Sequence, residues 1–231
     1  MKIASIYPSP AVLKHDWYRD LPYQKVGVPN LAGYLQRAGF PDIVQYDFNN
    51  QVRAEYEKRP HSVKLLLYDD AAAVGRFLRS DEPAIRRQTE FLLDTLGVKS
   101  AGLFGLSLSH FIGDEREIKL GANLAKCLAK VLRERFPEAV IALGGLQNMS
   151  TAALRSDCRA LLRGCPALDY AVAGEAHKAL LRICRAAEKG EALTKRDLEG
   201  FYSEKVNGNL LLQELETAKG DPGPRYFRPL P

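Results

Sequence analysis

The sequence predicts an α/β fold: a doubly wound, Rossmann-like, mainly parallel sheet of five strands with helices on both faces, a helical insertion and a C-terminal tail. Two observations predict it. Short strand-like runs alternate with segments of helical period through residues 1–190, and a strand, helix, strand order calls for parallel crossovers. Two of the runs, 101–107 and 139–143, are almost unbroken apolar stretches, the pattern of strands buried on both faces.

The first strand spans 3–7 and stops at Pro8, because proline cannot donate to a central ladder. Pro29 suits a first helical turn, Leu31, Tyr34, Leu35 and Ala38 fall at helical spacing, and Gly39 ends the helix, which is expected over 28–38. Ile43, Val44 and Tyr46 mark a second strand over 42–47. The stretch from about 52 to 96 is helix-prone, broken by Pro60, Gly75 and Pro83, and longer than a simple crossover needs; it reads as an insertion of two or three helices. After the strand at 101–107 comes the clearest helix. Asp114, Glu115 and Glu117 stand at its start, Arg133 and Arg135 at its end, and Ile118, Ala122, Ala125, Leu128 and Leu132 line one face, so charge and dipole agree. The strand at 139–143 runs into Gly144-Gly145, then come a helix over 149–162, a strand over 168–172 and a helix over 175–187. Residues 1–190 thus form the expected domain, and 191–231, polar and ending in PGPRYFRPLP, read as a linker or docking tail.

Composition excludes several classes. With 46% hydrophobic and 26% charged residues the chain is an ordinary globular one. Its formal net charge is +5, but basic and acidic residues are interleaved, so no basic run marks a nucleic-acid surface. Cys127, Cys158, Cys165 and Cys184 form no C-x-x-C pair and read as reduced structural thiols. The apolar run at the start is too short for a signal peptide, and no stretch of about 20 apolar residues could span a membrane; the expected location is the cytoplasm, with no membrane partner.

In such sheets ligands bind outside the carboxyl ends of the strands, which directs attention to 8–28, 107–113, 144–149 and 173–177. Gly144-Gly145 lets backbone approach a ligand closely, or makes a plain tight turn. There is no G-x-G-x-x-G after the first strand and no G-x-x-x-x-G-K-[ST], so nucleotide binding loses its support. The loop Ser107-Leu-Ser-His-Phe-Ile-Gly113 offers two hydroxyls and an imidazole. His110 could bind a metal or exchange protons, or be a solvated loop residue, and G-x-S-x-G is missing around Ser107 and Ser109. His15, His61 and His177 form no close pair with one another or with cysteine.

Taken in order, Tyr7-Pro8, Val28-Pro-Asn-Leu-Ala-Gly-Tyr-Leu-Gln-Arg-Ala-Gly39, Phe104-Gly-Leu-Ser107, Leu143-Gly-Gly145 and Asp169-Tyr-Ala-Val-Ala-Gly-Glu175 give the chain its resemblance to a known family. Over roughly residues 1–188 it resembles the N-terminal cobalamin-binding domain of cobalamin-dependent radical S-adenosylmethionine enzymes. That resemblance implies a domain gripping the lower face of a corrinoid, with the nucleotide tail among the carboxyl ends of the strands. It implies cofactor contacts from Tyr7, Pro8, Pro29 and Asn30, and from Ser107, Leu108, Ser109, His110 and Phe111 on the corrin side. Gly144, Gly145, Leu146 and Gln147 would make room for the tail, and Gly174 and Glu175 would edge the cavity. No catalytic residue is implied. The D-x-H-x-x-G of other cobalamin domains is missing after the first strand. His110 to Gly113 gives an H-x-x-G after the wrong strand, with Leu108 in the aspartate's place, so the expected cofactor is base-off cobalamin with His110 or Phe111 beneath cobalt at most. His177 stands where the family has the second acid of Gly-Glu-x-Glu. No C-x-x-x-C-x-x-C is present, so S-adenosylmethionine and an iron-sulfur cluster would belong to a partner domain or subunit, the methyltransferase core. The alternatives are a corrinoid carrier or sensor without catalytic output, and a small α/β enzyme using the Ser107–His110 loop. Replacing Gly145 by Leu is expected to block the tail and leave the fold largely intact.

Overall fold

The computed structural model describes residues 1–8, 27–108, 115–146 and 151–215. Its strands are β1 (Ile3–Ile6), β2 (Ile43–Tyr46), β3 (Leu103–Ser107), β4 (Val140–Leu146), β5 (Tyr170–Ala173), β6 (Phe201–Val206) and β7 (Asn209–Glu214). Its helices are α1 (Gly27–Arg37), α2 (Phe48–Lys58), α3 (Ala71–Arg79), α4 (Pro83–Thr95), α5 (Glu115–Arg135), α6 (Thr151–Gly164) and α7 (His177–Lys189), with a 3-10 turn at Leu65–Asp69. All five expected strands and all four expected helices outside the insertion form, and the insertion holds three α-helices.

The strands make one sheet in the order β2-β1-β3-β4-β5-β7-β6, parallel except for the β6–β7 hairpin. The expected count of five strands is therefore corrected to seven. Residues 201–214, expected within a linker or docking tail, pair instead with β5 through β7. Asn207 and Gly208 turn the hairpin, both at positive φ (51° and 90°), the geometry of a tight turn whose twist suits the flanking strands. Arg159 holds the hairpin to α6 by bonding both carboxylate oxygens of Glu204 and the Tyr202 hydroxyl, and Arg155 lies 3.7 Å over the Tyr202 ring.

Alternation along each strand splits the core between two faces. Ile3, Leu103, Ala142, Val172 and Leu212 meet Leu35 and Phe40 at α1 and Ile183 and Cys184 of α7. Ala4, Ile6, Phe104, Leu106, Ile141, Leu143 and Leu211 belong to the larger core built by the insertion, α5 and α6. The insertion starts earlier than expected, at Phe48, because Asp47 caps α2 by accepting the Asn50 N–H. It is bound to α5 by Lys130, whose ammonium donates to the carbonyls of Phe77 and Ser80, and by Arg86, which bridges Asp81 and Glu134. Within it the Tyr68 hydroxyl donates to Thr89, whose own hydroxyl donates to the Ile85 carbonyl; burial raises the Tyr68 pKa far above the ordinary phenol value.

Candidate functional site

Strand order reverses between β1 and β3: the chain leaves β1 for β2 on one side, and from β3 it proceeds to β4 and β5 on the other. Crossovers in opposite directions separate the connecting loops at the carboxyl ends, and ligands of open α/β sheets bind in the crevice so formed. On the α1/α7 face this crevice has an unusual floor. Ser5 of β1 and Gly105 and Ser107 of β3 are only half-buried although both strands are central, while their neighbours Ala4, Ile6, Phe104 and Leu106, facing the other layer, are buried. Ser5 lies opposite Gly105 and Ser107 opposite Gly144, also half-buried, so the four make one continuous patch across three strands.

The glycines of this edge do different things. A Cβ built on Gly105 would meet, among the described residues, only the Ala4 carbonyl oxygen at 3.9 Å, and one on Gly144 only Val172 at 3.7 Å. Both positions border space that no other described residue fills within 4 Å. Gly145 is the opposite case. Leu143 pairs with Ala171 and Leu146 with Ala173, so β4 carries one extra residue there, a β-bulge with Gly145 at φ 80°. A Cβ on Gly145 would stand 2.5 Å from the Leu108 carbonyl oxygen and 2.8 Å from Ser107 Oγ. Next to it the Leu108 N–H donates to the Gly144 carbonyl at 2.7 Å, which joins β3 to β4 beyond the last paired residues. Gly145 thus fits the ends of two strands together, at a place with no room for a side chain. This corrects the expectation that Gly145→Leu would leave the fold intact, since the side chain would collide with backbone and hold a disfavoured φ.

The structure brings Tyr7, Pro8, Ser107, Leu108, Gly144, Gly145, Gly174 and Glu175 to one edge. Pro8 and Leu108 are buried, Gly174 takes φ 75° in the turn from β5 to α7, and Glu175 is exposed. Pro29 and Asn30 lie in the first turn of α1, with Asn30 exposed, and Leu146 ends β4. Ser109, His110, Phe111 and Gln147 lie outside the described residues. Asp169, in the string that carried the resemblance, sits at the opposite end of β5, where it accepts the Ile141 N–H and the Arg133 guanidinium. Its role is to tie α5 to the sheet.

The chain matches no protein-family model, no curated protein and no solved structure. The residues of the edge must therefore carry the functional reading unaided.

Three features were missed in the sequence. Ser5 and Gly105 looked like ordinary strand residues, and only the register shows that they face each other. His177, the first residue of α7, stands edge-on to Tyr34 of α1, ring centroids 5.4 Å apart at 80°. Burial lowers the His177 pKa, and Glu175 and Glu214 pull it back up; Glu214 also pairs with Lys178 at 2.6 Å. Asn49, in the first turn of α2 at the carboxyl end of β2, buries its Oδ1 with no hydrogen-bond partner among the described residues.

The donor set limits the chemistry. Among the described residues no group of three or more His, Cys, Asp or Glu could hold a metal ion. All four cysteines are buried free thiols, and burial pushes Cys127, Cys158 and Cys184 up to about 12 and Cys165 to about 11, which keeps them protonated and unreactive. No helix among the described residues is long and apolar enough to cross a membrane. A patch floored by two glycines and two serine hydroxyls suits the binding of a ligand with a narrow polar arm. Of the two glycines that the resemblance places at the tail, Gly144 leaves its Cβ position open among the described residues and Gly145 does not.

Proposed function

We propose that this chain is a doubly wound, Rossmann-like cobalamin-binding module that presents a corrinoid methyl carrier to a radical S-adenosylmethionine core on another domain or chain. The observation that carries the reading is the half-buried patch Ser5, Gly105, Ser107 and Gly144 at the point where strand order reverses. Gly105 and Gly144 let the nucleotide tail lie against strand backbone, the Ser5 and Ser107 hydroxyls bond its polar atoms, and Gly174 and Glu175 edge the opening. The bound cobalamin supplies the cobalt centre that accepts and donates the methyl group, while the protein supplies position and exclusion of water. Catalysis belongs to the partner, which brings S-adenosylmethionine and the iron-sulfur cluster. The proposed setting is the cytoplasm, with neither nucleic acid nor membrane as a partner.

The test is titration of the chain with hydroxocobalamin, removal of free cofactor by gel filtration, and absorption spectroscopy of the protein peak. Near-stoichiometric retained colour is the expected result. A colourless protein peak overturns the reading.

A further inference from the structure

Asn207 is the one asparagine of the chain followed by glycine, and the pair forms the two-residue loop of the β6–β7 hairpin. In the ladder Val206 pairs with Asn209 and closes the hairpin, so the Gly208 N–H takes no part in it. Both loop residues are exposed, and Gly208 carries no side chain to shield its nitrogen from the Asn207 amide one residue before it. Asn207 also holds φ 51°, a conformation that an L residue keeps only at some cost. The rest of the hairpin is anchored elsewhere: Arg159 grips Glu204 and Tyr202, and Val206 is buried. Rotation of the Asn207 main chain out of its turn therefore disturbs the closing pair and leaves those anchors in place.

We propose that Asn207 is a modification site, at which water converts the side-chain amide to a carboxylate without an enzyme. The Gly208 nitrogen attacks Asn207 Cγ; the N–Cγ bond forms, the Cγ–Nδ2 bond breaks, and ammonia leaves with the N–H proton. Water then opens the five-membered imide at either carbonyl. Opening at the side-chain carbonyl gives aspartate. Opening at the main-chain carbonyl gives isoaspartate, whose main chain runs through Cβ and Cγ and is one atom longer. Nothing is oxidised or reduced, and either product lowers the formal net charge of +5 by one. A two-residue loop has no slack for the extra atom, so the isoaspartyl form loosens the Val206–Asn209 pair and marks the outer end of the hairpin. The site is independent of the corrinoid reading.

The experiment incubates the full chain in mildly alkaline buffer, native and in urea, and follows it by ion-exchange chromatography and by mass spectrometry of the tryptic peptide 206–219, whose asparagines are Asn207 and Asn209. The native chain is expected to give an acidic form, with the mass change of an amide-to-carboxylate exchange placed at Asn207 by fragmentation and Asn209 unchanged. The native rate is expected within about tenfold of the rate in urea, because leaving an exposed turn adds little to the barrier. Asn207→Gly, which suits the positive φ but carries no amide, is expected to give no such form. An Asn207 that stays unmodified in the native chain, whatever happens in urea, overturns the proposal. So does an acidic form that persists in Asn207→Gly.

Discussion

The two ends of the sheet are built on opposite terms. At the amino end the polar groups are closed within the protein: the Arg133 guanidinium donates to the carbonyls of Pro137, Ala139 and Ala167 and to Asp169, Asp169 accepts the Ile141 N–H, and Phe136 stacks on Phe104 at 5.2 Å. At the carboxyl end the side chains shrink to glycine and serine, β4 bulges, and the Asn49 carbonyl oxygen has no partner among the described residues. Stability is concentrated at one end so that the other can keep accessible backbone and unfilled hydrogen-bonding capacity, which is where binding needs them.

Substitutions at the two ends should separate stability from binding. The largest effect is expected for Phe104→Ala, which empties a fully buried site between β3 and Phe136; it should cost about 3–5 kcal/mol in denaturant unfolding, with ligand retention per folded molecule unchanged. Asp169→Ala should cost about 1 kcal/mol, less than a fully buried charged hydrogen bond because the carboxylate is partly exposed, and it too should leave retention unchanged. Loss of binding in either variant would break the division between the ends.

The smallest effect concerns pH. Burial holds the His177 pKa below its ordinary value of 6.5, so the unfolded chain takes up the proton more readily than the folded one. The neutral imidazole's contribution is present above about 6.5 and is lost as pH falls through the lower folded value. His177→Leu should therefore flatten the stability profile on the acid side of pH 6.5, measured by thermal melting from pH 5 to 8; a profile identical to wild type would remove His177 as the cause.

Much of the architecture was legible in the sequence because its signals are local. The unbroken apolar runs at β3 and β4, the charge-matched ends of α5 and the Pro8 and Gly39 stops each reflect a neighbouring-residue constraint that the fold obeys. The β6–β7 hairpin was missed although Asn207-Gly208 is a strong turn signal, because β6 is an edge strand whose Ser203, Glu204 and Lys205 break the apolar alternation. The site was less legible. Gly144-Gly145 reads as one feature in sequence, yet the bulge gives the two residues opposite roles. The patch of Ser5, Gly105, Ser107 and Gly144 exists only through register, and the contact of Tyr34 with His177 joins residues far apart in the chain.

The most direct test of the central claim is hydroxocobalamin retention by Gly144→Val beside the wild type. Gly144 has no positive φ and a Cβ there makes only ordinary contact with Val172, so the variant should fold, with melting close to wild type, while the side chain rises into the floor of the patch. The expected result is near-stoichiometric colour in the wild type and retention lowered by at least about tenfold in the variant, the equivalent of roughly 1.4 kcal/mol. Equal, stoichiometric colour in both would contradict the account and place the ligand away from this edge of the sheet.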